Sequence, residues 1–175
     1  MKYPDFSVSA PSCQPKSEQA AAFAFTSTSS VASLPVTKEC CDEMGAHSEI
    51  SSFLLPLGAM INMDGTAIYQ CVAAIFLAKC VGIDLTLVQM ITIVVTATLA
   101  SIGTAGTSGA GMIMLAMVLD AVGIPTTYIG IIYGIDRLFD MGRTALNAVG
   151  DASCAVCVNT WEAQMDAAKA KAKKA

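Results

Sequence analysis

Charge is what this sequence has least of. Asp, Glu, Lys and Arg make up 14% of its 175 residues, against roughly a quarter in ordinary soluble domains, while the hydrophobic share is 54%. Disorder through low hydropathy is therefore excluded for most of the chain. Basic residues are outnumbered, 10 Lys and Arg against 14 Asp and Glu for a formal net charge of −4, which leaves no positive footprint for nucleic acid. Histidine occurs once, as His47 in a polar linker, and reads as a solvated residue. The N-terminus lacks the apolar core of a secretory signal; with Pro4, Pro11 and Pro15, residues 1–15 read as a disordered lead-in. Seven cysteines, Cys13, Cys40, Cys41, Cys71, Cys80, Cys154 and Cys157, are odd in number and lack the spacing of a zinc site on loops, so a disulfide framework is not expected. Cys154 and Cys157 form a C-x-x-C, which inside a helix reads as two small packing residues.

What is present is the composition of a membrane protein. Between Glu49 and Lys79 the only charge is Asp64, with fourteen uncharged residues on each side, so residues 49–82 read as a transmembrane helix carrying a charge at its midpoint. Pro56 and Gly58 precede that charge and predict a break. Carbonyls freed by local unwinding, with the side chains of Asn62 and Asp64, would form an all-oxygen site for a hard monovalent cation. From Leu85 to Leu119 thirty-five residues are uncharged, too many for one helix across a core about 30 Å thick. Gly103, Gly106, Gly109 and Gly111 interrupt that run. Residues 83–123 are therefore expected to form two half-length helices meeting at a glycine tip, a re-entrant hairpin. No Gly-Lys-Ser/Thr follows the glycines, which disfavours a phosphate loop.

Residues 16–48 repeat the theme more faintly: AAAFAF leads to the hydroxyl-rich TSTSSVAS and a polar linker. The order is hairpin, broken span, hairpin, then a charged span over 124–160. The expected fold class is an all-α multi-pass membrane protein, with two re-entrant helical hairpins and two transmembrane helices of inverted-repeat character. Beyond Trp161, the lysines at 169, 171, 173 and 174 mark 161–175 as a solvated cytoplasmic tail. Asp136, Asp140, Arg143, Thr144, Asn147 and Asp151 fall within an arc of about 100° on a helix. Ionisable groups at membrane depth cost a few kcal/mol each, so this stripe must face a cavity or partners. Arg137 lies off the stripe, to pair locally or to snorkel.

Four strings carry a resemblance to a known family: TSTSSVASLPVT, LPLGAMINMDGTAIYQ, LASIGTAGTSGAGMIMLAMVL and GIDRLFDMGRTALNAVGDA. In this order and spacing, over about residues 16–162, the chain resembles the dicarboxylate/amino acid:cation symporters, which include glutamate and aspartate transporters. The resemblance implies that family's first re-entrant hairpin, seventh transmembrane helix, second hairpin and eighth helix. It further implies that Asp140 takes the α-amino group of an acidic amino acid and Arg143 its side-chain carboxylate. Asn147 and Ser30 would take the α-carboxylate, with Thr66, Thr144 and the backbone near Thr107 and Gly111 completing the pocket. An arginine fork and a carboxylate select such a substrate on chemical grounds too.

One implied cation site uses carbonyls of Gly58, Asn62 and Asn147 with the Asp151 carboxylate. Another uses carbonyls of Met60, Ser101, Ile102 and Thr104, and the Asn62 and Asp64 side chains join a third. The implied coupling ion is sodium, with a proton as the alternative. In the family the second hairpin is a gate, and the core moves against a fixed scaffold. Val31 departs from the pattern, standing where the family has the third serine of its first tip. The family's first six helices are also absent from these residues. The expectation is thus a substrate- and cation-binding core, not an enzyme, lying in the cell membrane without the scaffold of the intact homotrimer, and unable to transport alone. Its partner would be those scaffold helices or a full-length relative. A non-transporting membrane subunit or truncation product, and a C4-dicarboxylate carrier, are the alternatives; Asp140 counts against the last.

Overall fold

Thr28 and Ser29 turn the chain after its first helix. α1 (Ala10–Ser27) ends where Thr28 takes a left-handed φ of 52°, and Ser29 caps α2 (Ser30–Glu43), its hydroxyl accepting the Ala32 N–H at 3.2 Å. The computed structural model describes residues 10–102 and 106–172, and their side chains except at 10–16, 167, 171 and 172. Every regular element among the described residues is helical, an all-α fold. α1 begins inside the stretch read from the sequence as a lead-in; Pro11 falls in its first turn, where a missing N–H costs nothing.

α3 (Ser48–Ile61) and α4 (Asp64–Cys80) are one apolar run interrupted at Asn62 and Met63. Together Ser48–Cys80 is the one segment among the described residues long and apolar enough to cross a membrane. The break does not fall at Pro56 or Gly58, which lie within α3; it falls at Asn62, where φ and ψ reach −87° and 79°. α5 (Leu87–Ser101) opens on a capping box, with Gln89 N–H donating to Thr86 Oγ1 and Thr86 N–H to Gln89 Oε1. α6 (Ala110–Ala121) follows a tip closed by Gly109 at φ 83°. A 3-10 turn (Thr126–Ile129) and the short α7 (Gly130–Tyr133) then lead into α8 (Asp136–Ala172), a helix of 37 residues. α8 runs on through the stretch read as a tail, because AQMDAAKAKA is rich in strong helix formers.

α8 is the axis of the assembly. The α1/α2 pair, α3 and α4 all pack on it, and α4 in turn carries the α5/α6 pair. The larger apolar core joins α4, α5 and α6 through Leu77, Ile93, Leu115 and Leu119, all fully buried. Where α2 and α3 meet α8 the core is smaller and built on Cys41, Leu55, Ala152 and Ala155. Small residues let backbones approach, which is how helices associate where lipid removes the hydrophobic drive. Gly65 shows the limit, since a Cβ there would sit 2.7 Å from the carbonyl oxygen of Arg143. Large apolar side chains are exposed on several helices. On α5, Leu87, Val88, Ile91, Val94, Val95 and Leu99 are each more than half exposed, a face suited to lipid or to an apolar protein surface. Cys154 and Cys157 are also exposed on α8, so they do not serve as packing residues within this chain.

Candidate functional site

The six polar residues of the α8 stripe, from Asp136 to Asp151, are all buried, and they divide into two centres. The first is built on Arg143. Its Nε donates to Asp140 Oδ1 at 3.0 Å, and its Nη2 lies 2.9 Å from the same oxygen. Nη1 lies 3.7 Å from Asp136 Oδ1. Beneath the guanidinium is the Tyr69 ring, 4.6 Å from Cζ to the ring centre, and the Tyr69 hydroxyl donates to Asp136 Oδ1 at 2.5 Å. Neither terminal nitrogen of Arg143 has a well-aligned hydrogen-bond acceptor among the described residues, although both are buried. The guanidinium is thus charge-paired with Asp140 and Asp136 while its terminal N–H groups lack aligned acceptors, a geometry that a planar anion could use.

The fork opens on a cavity of about 20 Å³. Its lining includes every residue expected at the substrate site: Ser30, Thr66, Thr107, Gly111, Asp140, Arg143, Thr144 and Asn147. The space is closed down around Arg143, and a Cβ on Gly111 would collide with the guanidinium itself. Asn147 is held from both ends. Its Oδ1 accepts the Gly65 N–H at 2.8 Å, and its Nδ2 lies 3.2 Å from Thr66 Oγ1 and from Met63 Sδ. Thr144 returns its hydroxyl to the Asp140 carbonyl at 2.7 Å.

Two tips close the cavity. Ser29 Oγ donates to the Gly106 carbonyl at 2.8 Å, and the Val31 N–H reaches the same carbonyl at 3.2 Å. Ser108 Oγ donates to Asp140 Oδ2 at 3.3 Å, the Gly109 N–H donates to that oxygen at 3.2 Å, and Arg137 Nη1 donates to Ser108 Oγ at 2.6 Å. Thr28, Met63, Gly106 and Ala110 also line the space and escaped the sequence reading, as did Tyr69 and the role of Asp136 as its partner. No local pattern announces such contacts, because each joins elements distant in the chain.

The second centre lies two turns further along α8. Asp151 Oδ1 accepts from Asn62 Nδ2 at 2.9 Å, and Gly58 is so close that a Cβ there would collide with the carboxylate. The structure therefore brings Gly58, Asn62 and Asp151 together. Asp64 is exposed as the first residue of α4, where a negative charge meets the helix N-terminus favourably. Met60 is exposed near the end of α3, Ser101 is buried and Ile102 half exposed at the end of α5, and Thr104 lies outside the described residues. Gly58, Asn62 and Asp151 place a carboxylate and an amide beside one turn of α3, where the Gly58 carbonyl accepts the Asn62 N–H at 2.7 Å.

Comparison with known proteins identifies the family of the chain. The profile of the sodium:dicarboxylate symporter family matches residues 13–161. The chain is 47% identical over 132 residues to the neutral amino acid transporter B(0) of Mus musculus, a match covering 75% of this chain and 24% of that protein. Excitatory amino acid transporter 3 of Mus musculus is 47% identical over 135 residues, covering 77% and 26%. An excitatory amino acid transporter of Caenorhabditis elegans is 44% identical over 146 residues, covering 82% and 29%. The chain spans about a quarter of the length of the curated relatives it matches.

Proposed function

The chain belongs to the sodium:dicarboxylate symporter family, and on that premise we propose that it is the substrate- and cation-binding part of a sodium-coupled symporter for acidic amino acids, aspartate or glutamate. The observation that carries the reading is the buried Arg143 fork, whose two terminal nitrogens lack aligned acceptors while facing a cavity shared with Asp140. An acidic amino acid supplies a side-chain carboxylate for the fork and an ammonium for Asp140. Asn147, Ser30, Thr66 and Thr144 surround the space for its α-carboxylate, with the Thr107 and Gly111 backbone at the tip. Relatives carry names of both neutral and excitatory amino acid transporters, and Arg143 is what favours the acidic class.

The coupling ion is sodium in this proposal, held at Asp151 with Asn62, Gly58 and the Asn147 carbonyl. A buried carboxylate without a cationic side chain beside it is costly unless a cation or proton joins it. Further cations would be held by Met60, Ser101, Ile102 and Thr104 and by Asn62 with Asp64. Each net positive charge entering with substrate contributes about 2.3 kcal/mol per 100 mV of membrane potential.

The α1/α2 and α5/α6 pairs are the two re-entrant hairpins of this proposal, α3–α4 and α8 its two transmembrane spans, and the halves are related as an inverted repeat. The protein lies in the cell membrane, its C-terminus cytoplasmic. Its exposed apolar faces meet lipid and scaffold helices that these residues do not include, trimeric in the intact assembly. Substrate binding is therefore expected of this chain in lipid nanodiscs, and net transport is not. Equilibrium binding of labelled L-aspartate, in sodium and with choline substituted, is the test. Sodium-dependent binding is the expected result; the absence of binding in both media overturns the reading, and equal binding in both overturns the coupling.

A further inference from the structure

Arg137 is exposed and is not among the residues lining the cavity, yet its guanidinium makes one short contact with the second tip, to Ser108 Oγ at 2.6 Å. Ser108 Oγ also lies 3.1 Å from the Thr28 hydroxyl of the first tip and donates to Asp140 Oδ2. A serine hydroxyl has one proton and two lone pairs. Once the proton is given to Asp140, a lone pair remains for Arg137, so those two contacts are compatible, while Thr28 Oγ1 sits closer to the Ser27 carbonyl, at 2.7 Å, than to Ser108. Arg137 and Asp140 are three residues apart on α8 and so reach the same tip from adjacent turns.

We propose that Arg137 is a positioning residue, which holds the second tip over the pocket through Ser108 and so sets how long a bound substrate stays without touching it. The proposal rests on reading the cavity as the substrate site. Asp140 holds the tip as well, through Ser108 and the Gly109 N–H, but an ammonium arriving at Asp140 competes for those same oxygens. Arg137 faces no such competition, because its contact lies outside the cavity. It is the tip contact from α8 that survives when the site is filled, beside those that Ser29 and Val31 make with the Gly106 carbonyl. The bond carries a full charge on its donor, which strengthens it, and it polarises the Ser108 hydroxyl toward Asp140.

Two readouts test this on the chain in lipid nanodiscs: hydrogen–deuterium exchange of the tip over residues 106–112, and release of labelled L-aspartate in sodium. Arg137→Ala is expected to speed both by about three- to tenfold, the range for loss of one hydrogen bond, and Ser108→Ala, which also removes the bond to Asp140, by at least as much. The double variant should be no faster than Ser108→Ala alone, and Arg137→Lys, which keeps a charged donor, should restore slow exchange. Preference for aspartate over neutral amino acids should not change. Additive effects in the double variant, unchanged tip exchange in Arg137→Ala, or failure of the lysine to rescue overturns the proposal. If the unsubstituted chain binds no aspartate, the substrate reading falls instead, and tip exchange alone decides for or against Arg137.

Discussion

The two centres on α8 follow opposite plans of charge. Around Arg143 the charges are met from within: Asp140 and Asp136 both face the one guanidinium, and Tyr69 supports it from below. Around Asp151 they are not. The carboxylate is buried, an amide is its recorded side-chain donor, and no Lys, Arg or His lies within ion-pair distance among the described residues. A centre already paired internally suits a zwitterion, which can exchange its own pair of charges for the existing one. A centre with an unmatched carboxylate suits a lone cation. One helix can therefore carry two ligand classes about 12 Å apart, eight residues at 1.5 Å each, by changing only what surrounds each carboxylate.

The hardest blow to this comparison is struck at Arg143. Arg143→Cys removes the fork and leaves Asp140 for the ammonium. We expect aspartate affinity to fall on the order of a hundredfold, the loss of a bidentate charged contact, and neutral amino acids to begin to compete. Competition binding in nanodiscs reads both effects, and retained aspartate selectivity would sink the role given to Arg143. Asp151→Asn is the matching change at the other centre. There the sodium concentration for half-maximal aspartate binding should rise about tenfold or more, while the ranking of acidic over neutral substrates holds. If instead the ranking changes and the sodium dependence does not, the two centres have been assigned the wrong way round.

Glycines sharpen the division further, because each centre has one pressed against its charged group. A Cβ on Gly58 would meet Asp151, and one on Gly111 would meet Arg143. Gly58→Ala is expected to weaken apparent sodium affinity several-fold with little change in substrate ranking. Gly111→Ala should weaken aspartate directly, by a smaller factor, since the guanidinium at the end of a long side chain can yield where a short carboxylate cannot. Sodium titrations at saturating aspartate, and aspartate titrations at saturating sodium, separate the two. Crossed effects would mean that the centres are mechanically one.

Much of this architecture was legible before any coordinates. The α8 stripe follows from helical periodicity alone, and the short arms of α5 and α6 follow from an uncharged run too long for one crossing with glycines at its middle. Periodicity did not say which face of the stripe meets which tip, because Asn147 with Gly65, or Ser29 with Gly106, joins segments about 80 residues apart. The family resemblance grouped Ser30, Thr66 and Asn147 in one pocket but named neither of those contacts. Neither route pointed to Tyr69, which sits among apolar residues of α4 and looks like an aromatic packing residue until its hydroxyl is found on Asp136. The break in α3–α4 was displaced for a similar reason. Proline and glycine were the local breakers, yet α3 passes through both, and the interruption comes at Asn62, whose amide is bound to Asp151.

Tyr69 offers the smallest and most selective test. Its ring lies under Arg143 and its hydroxyl reaches Asp136, so Tyr69→Phe keeps the cation–π contact, worth about 0.5–2 kcal/mol, and removes only the bond to the carboxylate. Asp136 then has Arg143 as its remaining recorded partner and should draw the guanidinium toward itself, away from the cavity. Aspartate affinity is expected to fall about two- to fivefold, with sodium dependence unchanged, since the second centre lies two turns away and shares none of these atoms. Tyr69→Leu removes ring and hydroxyl together and should cost more. Equal losses for Phe and Leu would show that the hydroxyl, not the ring, keeps the fork in place; a change in sodium dependence with either would mean that charge pairing at Arg143 reaches Asp151.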